Sequence, residues 1–260
     1  VRITTRYDAM NFAKALMGVL HETGHAKYEQ NLPAAWLGQP VGRARGMSVH
    51  ESQSLFLEMQ VSRSAEFARF LAPYLRNTFP EAEAQAPGVF ESQNLHRQAT
   101  RVTRGLIRVD ADEVTYPCHV ILRFDIERKL VRGELGVSDI PEVWDQKMQA
   151  LLGVSTRGDY RNGCMQDVHW PSGALGYFPT YTLGALFAAQ LFETASREVS
   201  GLGGAIAQGE LGPLDAWLRE KVWAQGSRLT TDELVRHATG RSLDTGSFER
   251  HLERRYLPAA

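Results

Sequence analysis

The sequence predicts a mainly α-helical protein with a small β element. Three observations predict it: apolar residues recur at helical spacing through most of the chain, prolines and glycines fall where helices would open and close, and only two short stretches have strand character. With 260 residues, 43% of them hydrophobic and 23% charged, the chain has ordinary globular make-up, so wholesale disorder is not expected. It is long enough to bury a sizeable core, as one large domain or two smaller ones.

The elements follow in order. Asp8 is the expected N-cap of a first helix in which Phe12, Ala15, Leu16, Val19 and Leu20 keep helical spacing, with no proline before Pro33. A connection through Gly38, Pro40, Gly42 and Gly46 follows, then a long amphipathic run over about 48–77, interrupted by Pro80, Pro87 and Gly88. A helix is expected over 89–103, a short strand at 106–109, and a helix capped by Asp112 over 114–130. Residues 132–137 have some strand character. Asp139 with Pro141 opens a helix that Gly153 stops, and Pro179 opens a run over 180–199 that Gly201 ends. Pro213 opens another, closed by Gly226; Thr230 with Glu233 has the capping-box pattern before a helix stopped at Gly240; the last helix begins near Ser247. The glycine-rich stretch at 201–204 lacks the helix-entry context of a phosphate cradle and reads as a loop.

Charge and cysteine usage exclude several classes of function. A formal net charge of -1 gives no electrostatic reason to expect nucleic acid or an anionic membrane as partner, and Arg250, Arg254 and Arg255 read as a solvated helix face. No apolar run reaches the length of a membrane span. Cys118 and Cys164 form neither a C-x-x-C pair nor a disulfide framework, which points to a reducing, cytoplasmic compartment. Cys118 reads as a packed thiol, and Cys164 is not expected to act as a nucleophile.

The chemistry is concentrated in His21-Glu22-Thr23-Gly24-His25, an H-E-x-x-H pattern inside helical sequence. Residues four apart share a helix face, so both imidazoles reach one metal ion while Glu22 leans over a water bound to it, the core of a zinc hydrolase. Such a site needs a third protein ligand and an open fourth position. His50 and Glu51 are the candidates, and being adjacent on a helix only one of them should face the ion. Glu51 is the choice; the alternative is that Ser48 and Glu51 form a capping box, which periodicity does not separate from ligation.

With the His-Glu-Ser-Gln run at 50–53, an Ile-Arg-Val-Asp run at 107–110 and a Gly-x-x-Gln-Asp-x-His-Trp run at 163–170, the chain resembles the carboxypeptidase Taq family of metallocarboxypeptidases. The resemblance implies a helical zincin-type metallopeptidase lobe. It implies His21, His25 and Glu51 as ligands of one divalent metal ion, zinc first with cobalt or manganese as alternatives, and Glu22 as general base. The implied reaction is removal of C-terminal residues from peptides with a free C-terminus, by an enzyme that is a homodimer at full length. Rival readings are an oligopeptidase cutting internally and an inactive helical fragment serving as a structural lobe.

Further residues follow from the same resemblance. Arg108 is the candidate for binding the substrate's terminal carboxylate through two charge-assisted hydrogen bonds, against a plainer ion pair with Asp110 or Asp112. His169 with Tyr177 or Tyr181, by likeness to the broader group of helical zinc peptidases, would face the developing oxyanion. An aspartate often found four residues after the glutamate ligand is replaced by Leu55, so Asp110, Glu58 and Asp167 are the candidates to support the histidines. Val1-Arg2-Ile3-Thr4 looks like the family's Asp-x-Arg-x-Thr motif without its aspartate, and Arg2 would act further out along the substrate. With no initiating methionine and about half the usual family length, residues 1–260 read as one catalytic metal-binding lobe, a carboxy-terminal half. Such a half is expected to hold the metal ligands yet hydrolyse peptides poorly.

Overall fold

The first helix is started by Asn11, whose side-chain oxygen accepts a hydrogen bond from the Lys14 amide at 3.2 Å. Asp8, the expected cap, spends its carboxylate earlier, on the Met10 amide at 2.9 Å, a local turn that competes with helix entry. The structure is a computed structural model, and it describes residues 1–8 and 10–257. Helix α1 spans Phe12–Gln30 and α2 spans Met47–Leu55.

Gly46 takes the N-cap place of α2 without a side-chain cap, and Ser48 falls inside the helix. The Ser48–Glu51 capping box therefore does not form, and the Glu51 carboxylate is left for other partners. The long run expected over 48–77 is three pieces. After α2 the backbone widens into a π-helical segment, Phe56–Ser62, and Ser64 then caps α3 (Ala65–Thr78) by accepting from the Phe67 amide at 3.1 Å. Helices α4 (Pro80–Gln85) and α5 (Ser92–Ala99) follow, the latter shorter than expected.

Among the described residues there is no strand, which corrects the expected β element. Residues 106–109 lead into a short 3-10 turn, Arg108–Asp110, and Gln166 takes the place of a neighbouring strand. Its side-chain carbonyl accepts from the Arg108 amide at 2.8 Å and its NH2 donates to the Leu106 carbonyl at 3.0 Å. A single amide side chain thus satisfies the backbone groups that a ladder would have paired.

Most of the later helices start and stop where proline, glycine and capping residues direct; two differ, since the glycine-rich stretch expected as a loop lies in a helix over Leu202–Gln208 and the run opened by Pro213 ends at Lys221, before Gly226. The later helices are α6 (Tyr116–Val131), α7 (Ile140–Leu152), α8 (Pro179–Glu198), α9 (Leu202–Gln208), α10 (Gly212–Lys221), α11 (Thr231–Thr239) and α12 (Gly246–Tyr256). Gly153 closes α7 with φ 68° and Gly240 closes α11 with φ 80°, left-handed positions that cost other residues strain. Thr230 and Glu233 form the reciprocal capping box, with the Thr230 amide 2.7 Å from the Glu233 carboxylate.

The chain divides into two compact units, one of residues Val1–Thr100 with Leu183–Ala260 and one of Arg101–Thr182. In the larger, Tyr28, Val49, Phe56, Val61, Leu191 and Trp223 belong to one apolar core, each burial contributing roughly 1.5–3 kcal/mol. Helix α1 lies against α2 at Gly24, where an added Cβ would meet the Gln53 carbonyl oxygen at 2.4 Å. In the smaller unit the core is Leu122, Ile126, Trp144, Met148 and Leu152. No helix of the described residues is long and apolar enough to cross a membrane.

Candidate metal centre

The close crossing of α1 and α2 sets the spacing of the site. His21 and His25, one turn apart on α1, present their Nε2 atoms to Glu51 on α2: the Glu51 Oε2 is 3.9 Å from His21 Nε2 and 3.4 Å from His25 Nε2. Ligands about 2.05 Å from a tetrahedral ion stand roughly 3.3 Å apart, so both distances to Glu51 are within about 0.6 Å of that spacing, and all three donors lie within 4.8 Å of one another. Among the described residues these three form the group able to hold a metal ion. Glu51 is buried at 8% exposure and is seated there by Gly184 of α8, whose added Cβ would stand 2.9 Å from the Glu51 Cβ and Cγ. Glu22, next to His21 on α1, is part-buried, and its charge acts on the His21 ring.

Each histidine has a partner at its other ring nitrogen. His21 Nδ1 lies 3.0 Å from Glu58 Oε2, and Arg63 Nη2 donates to Glu58 Oε1 at 2.8 Å. Burial works to lower the His21 pKa, but the Glu58 hydrogen bond and the Glu51, Glu58 and Glu22 charges outweigh it, and the net shift is upward. Burial likewise opposes ionisation of Glu58, and His21 with Arg63 overcomes it and lowers the carboxyl pKa. Glu58 lies two turns beyond Glu51, within the π-helical segment, a backbone form frequent at functional sites. Of the three supporting carboxylates considered from sequence, Glu58 fills the role; Asp110 and Asp167 belong to the smaller unit. His25 Nδ1 is 2.6 Å from His50 Nδ1, and His50 Nε2 is 2.8 Å from Glu29 Oε1. His50 thus stands behind His25.

The smaller unit holds Arg108, His169, Tyr177 and Tyr181, whereas Arg2 belongs to the larger one. Arg108 is buried at 4% exposure, and its Nε and Nη2 donate to Asp167 Oδ1 at 3.1 and 2.7 Å while Nη1 donates to the Tyr116 hydroxyl. Asp167 also accepts from Arg123 Nε at 2.7 Å. Asp112 is occupied by the Thr103, Val114 and Thr115 amides. His169 Nε2 is 3.0 Å from the Tyr181 hydroxyl, whereas Tyr177 meets His169 through its ring at 5.4 Å between centroids. The Arg108 guanidinium lies 4.9 Å from the centre of the Tyr181 ring. Burial, then Arg108, hold the His169 pKa below its ordinary value. Arg2 is exposed in the irregular segment before α1. Burial raises the pKa of both thiols, Cys118 and Cys164, away from nucleophilic character.

A helical protein that aims two histidines of an H-E-x-x-H helix and a glutamate of the following helix at one point has the make-up of a metallopeptidase. The chain belongs to the carboxypeptidase Taq (M32) metallopeptidase family, whose model matches residues 1–256. It is 44% identical over 256 residues to thermostable carboxypeptidase 1 of Thermus thermophilus, covering 98% of this chain and 49% of that protein. It is 38% identical to carboxypeptidase 1 of Bacillus subtilis, covering 98% of this chain and 50% of that protein. The solved structure of metallocarboxypeptidase 1 of Trypanosoma cruzi is similar with a TM-score of 0.94 at 50% identity, over 98% of this chain and 52% of that one. The chain spans about half the length of the curated relatives it matches.

Three contributors escaped sequence reasoning. Gly184 has no motif around it, and His50 reads from sequence only as a rival ligand. Gly24 left a signal: glycine inside a helix costs roughly 1 kcal/mol relative to alanine, and that cost within the pentapeptide marks a close approach.

Proposed function

We propose that this chain holds one divalent ion, zinc first, through His21 Nε2, His25 Nε2 and a Glu51 carboxylate oxygen, and serves a carboxypeptidase that removes C-terminal residues from peptides. The observation that carries the reading is the spacing of the three donor atoms, 3.4 and 3.9 Å from Glu51 Oε2, with Glu22 beside them in a chain of this family. When bound, the ion supplies a Lewis acid and acidifies water. Glu22 is the general base: its carboxylate takes a proton as the peptide carbonyl is attacked and delivers it to the leaving amine.

Tyr181 is the donor to the developing oxyanion, and His169, whose Nε2 stands 3.0 Å from the Tyr181 hydroxyl, aims the phenol, which favours Tyr181 over Tyr177. Arg108 binds the substrate's terminal carboxylate. A second reading is favoured by the Asp167 pairing: a guanidinium already engaged on two edges positions Tyr116 and Tyr181 instead. Arg2 contacts substrate further out. Two free cysteines support a reducing, cytoplasmic setting, and the working enzyme is a homodimer.

The test is a pair of measurements, zinc binding on the purified chain and peptide cleavage on the full-length enzyme. Zinc binding is titrated for wild type, His21→Ala and Glu51→Ala, and release of the terminal residue from a free-acid peptide is compared with its C-terminal amide by mass spectrometry. Stoichiometric zinc lost in both variants, with cleavage of the free acid alone, is expected. Zinc binding indifferent to both substitutions would refute the metal assignment; equal cleavage of acid and amide would favour the oligopeptidase.

A further inference from the structure

His21 and His25 are supported in different ways. His21 meets a carboxylate directly, at Glu58, while His25 meets a second imidazole, with 2.6 Å between the two Nδ1 atoms. Only one proton fits between two nitrogens at that distance, so one ring donates and the other accepts. The other end of His50 decides which. His50 Nε2 faces Glu29 Oε1 at 2.8 Å, and a carboxylate accepts, so in the neutral ring Nε2 carries the proton and His50 Nδ1 is left with its lone pair. His25 must then donate from Nδ1, and its Nε2, the atom facing Glu51, is free of a proton.

We propose that His50 and Glu29 are positioning residues for His25, a carboxylate–imidazole–imidazole relay that fixes its tautomer and ring orientation and leaves Nε2 bare for a divalent cation. The inference rests on the metal assignment made above. A direct carboxylate on each histidine would add a second negative charge behind the ligands. An interposed neutral imidazole gives the same orientation and moves that charge to Glu29, whose side chain is 41% exposed and screened by water. The His50 ring is itself held in place, with its centroid 5.4 Å from the ring of Tyr28, whose hydroxyl accepts from the Arg45 amide at 2.9 Å. Because Glu29 is exposed and His50 is not, His50 carries more of the effect.

The test measures Zn2+ affinity by competition with a chromogenic chelator in wild type, His50→Phe, His50→Gln, Glu29→Ala and Glu51→Ala. Removing an outer partner of a metal-bound histidine commonly lowers affinity by roughly 10–100-fold, and that loss is expected for His50→Phe. His50→Gln, whose side-chain carbonyl can accept from His25, recovers most of it, and Glu29→Ala loses only about threefold. A purely structural role would lower the thermal midpoint of the metal-free protein without distinguishing Phe from Gln. Independently of any variant, long-range 1H–15N spectra of the histidine-labelled, Zn2+-loaded wild type should show His50 protonated at Nε2 and bare at Nδ1. A proton or a metal on His50 Nδ1, or Zn2+ affinity of His50→Phe within twofold of wild type while Glu51→Ala abolishes binding, would overturn the relay alone. Zn2+ binding that survives Glu51→Ala would overturn the metal assignment and the relay with it.

Discussion

Acid stability should be governed in good part by His119. Its ring is fully buried on α6, and neither ring nitrogen has a hydrogen-bond partner among the described residues. Burial lowers its pKa first, Arg123 and Arg108 lower it further, and Asp167 and Asp112 only partly oppose them, leaving a value of about 4. A depressed pKa means that the unfolded chain binds the proton more tightly than the folded one. Stability is therefore intact above the ordinary value of 6.5 and falls as pH drops from there toward about 4. At about 1.36 kcal/mol per pH unit, the loss between pH 7.5 and 5.0 comes to about 2 kcal/mol, and to about 3 kcal/mol below the folded value. His119→Leu removes both the titration and the two unpaired nitrogens, so it should change stability by less than about 1 kcal/mol at pH 7.5. Urea unfolding of the whole chain, followed by circular dichroism at both pH values, gives the comparison. The wild type should lose about 2 kcal/mol more than the variant on acidification; a variant whose pH dependence matches wild type within about 0.5 kcal/mol would refute the reasoning.

Three further outcomes follow from the site and its helix packing. In the full-length enzyme, Glu22→Gln should keep stoichiometric zinc and lose turnover by a factor of roughly a hundred to ten thousand, because the amide preserves shape but takes no proton; wild-type rates in stopped peptide digests would exclude it as base. Arg108→Ala should weaken turnover of a free-acid peptide by about 1.5–3 kcal/mol with zinc content and melting temperature unchanged if the guanidinium binds the terminal carboxylate, whereas a loss that comes with a lower melting temperature marks the Asp167 pair as its main purpose. Gly24→Ala should destabilise the protein by about 1–3 kcal/mol or more and weaken zinc binding, because the methyl meets the Gln53 carbonyl at 2.4 Å; an unchanged melting temperature would mean that α1 and α2 do not cross this closely.

What was legible in the sequence is what neighbouring residues decide. His21 and His25 share a face because the helix repeats every 3.6 residues, and Thr230 with Glu233, Gly153 and Gly240 mark helix ends through bonds and φ values local to a few residues. Locality also misled. Asp8 and Asn11 both have capping side chains, and only the geometry of the preceding turn assigns the cap to Asn11. Residues 106–109 have strand-like composition, but their hydrogen bonds go to a side chain at Gln166, and no periodicity in the segment records that.

The sequence by itself determined the helical class and the shared face of the H-E-x-x-H histidines, since each depends on spacing along one helix; it left Glu51 between ligand and capping residue, and the structure leaves that carboxylate uncapped, 3.4 and 3.9 Å from the two imidazoles. Only the tertiary structure decided what surrounds those atoms. Glu58 reaches His21 across 37 residues, His50 reaches His25 across 25, and Gly184 leaves room for Glu51 from a helix far along the chain. Those contacts are set by how α1, α2, the π-helical segment and α8 pack around a common core, and packing depends on shape complementarity between distant segments, which the order of residues within any one segment does not carry.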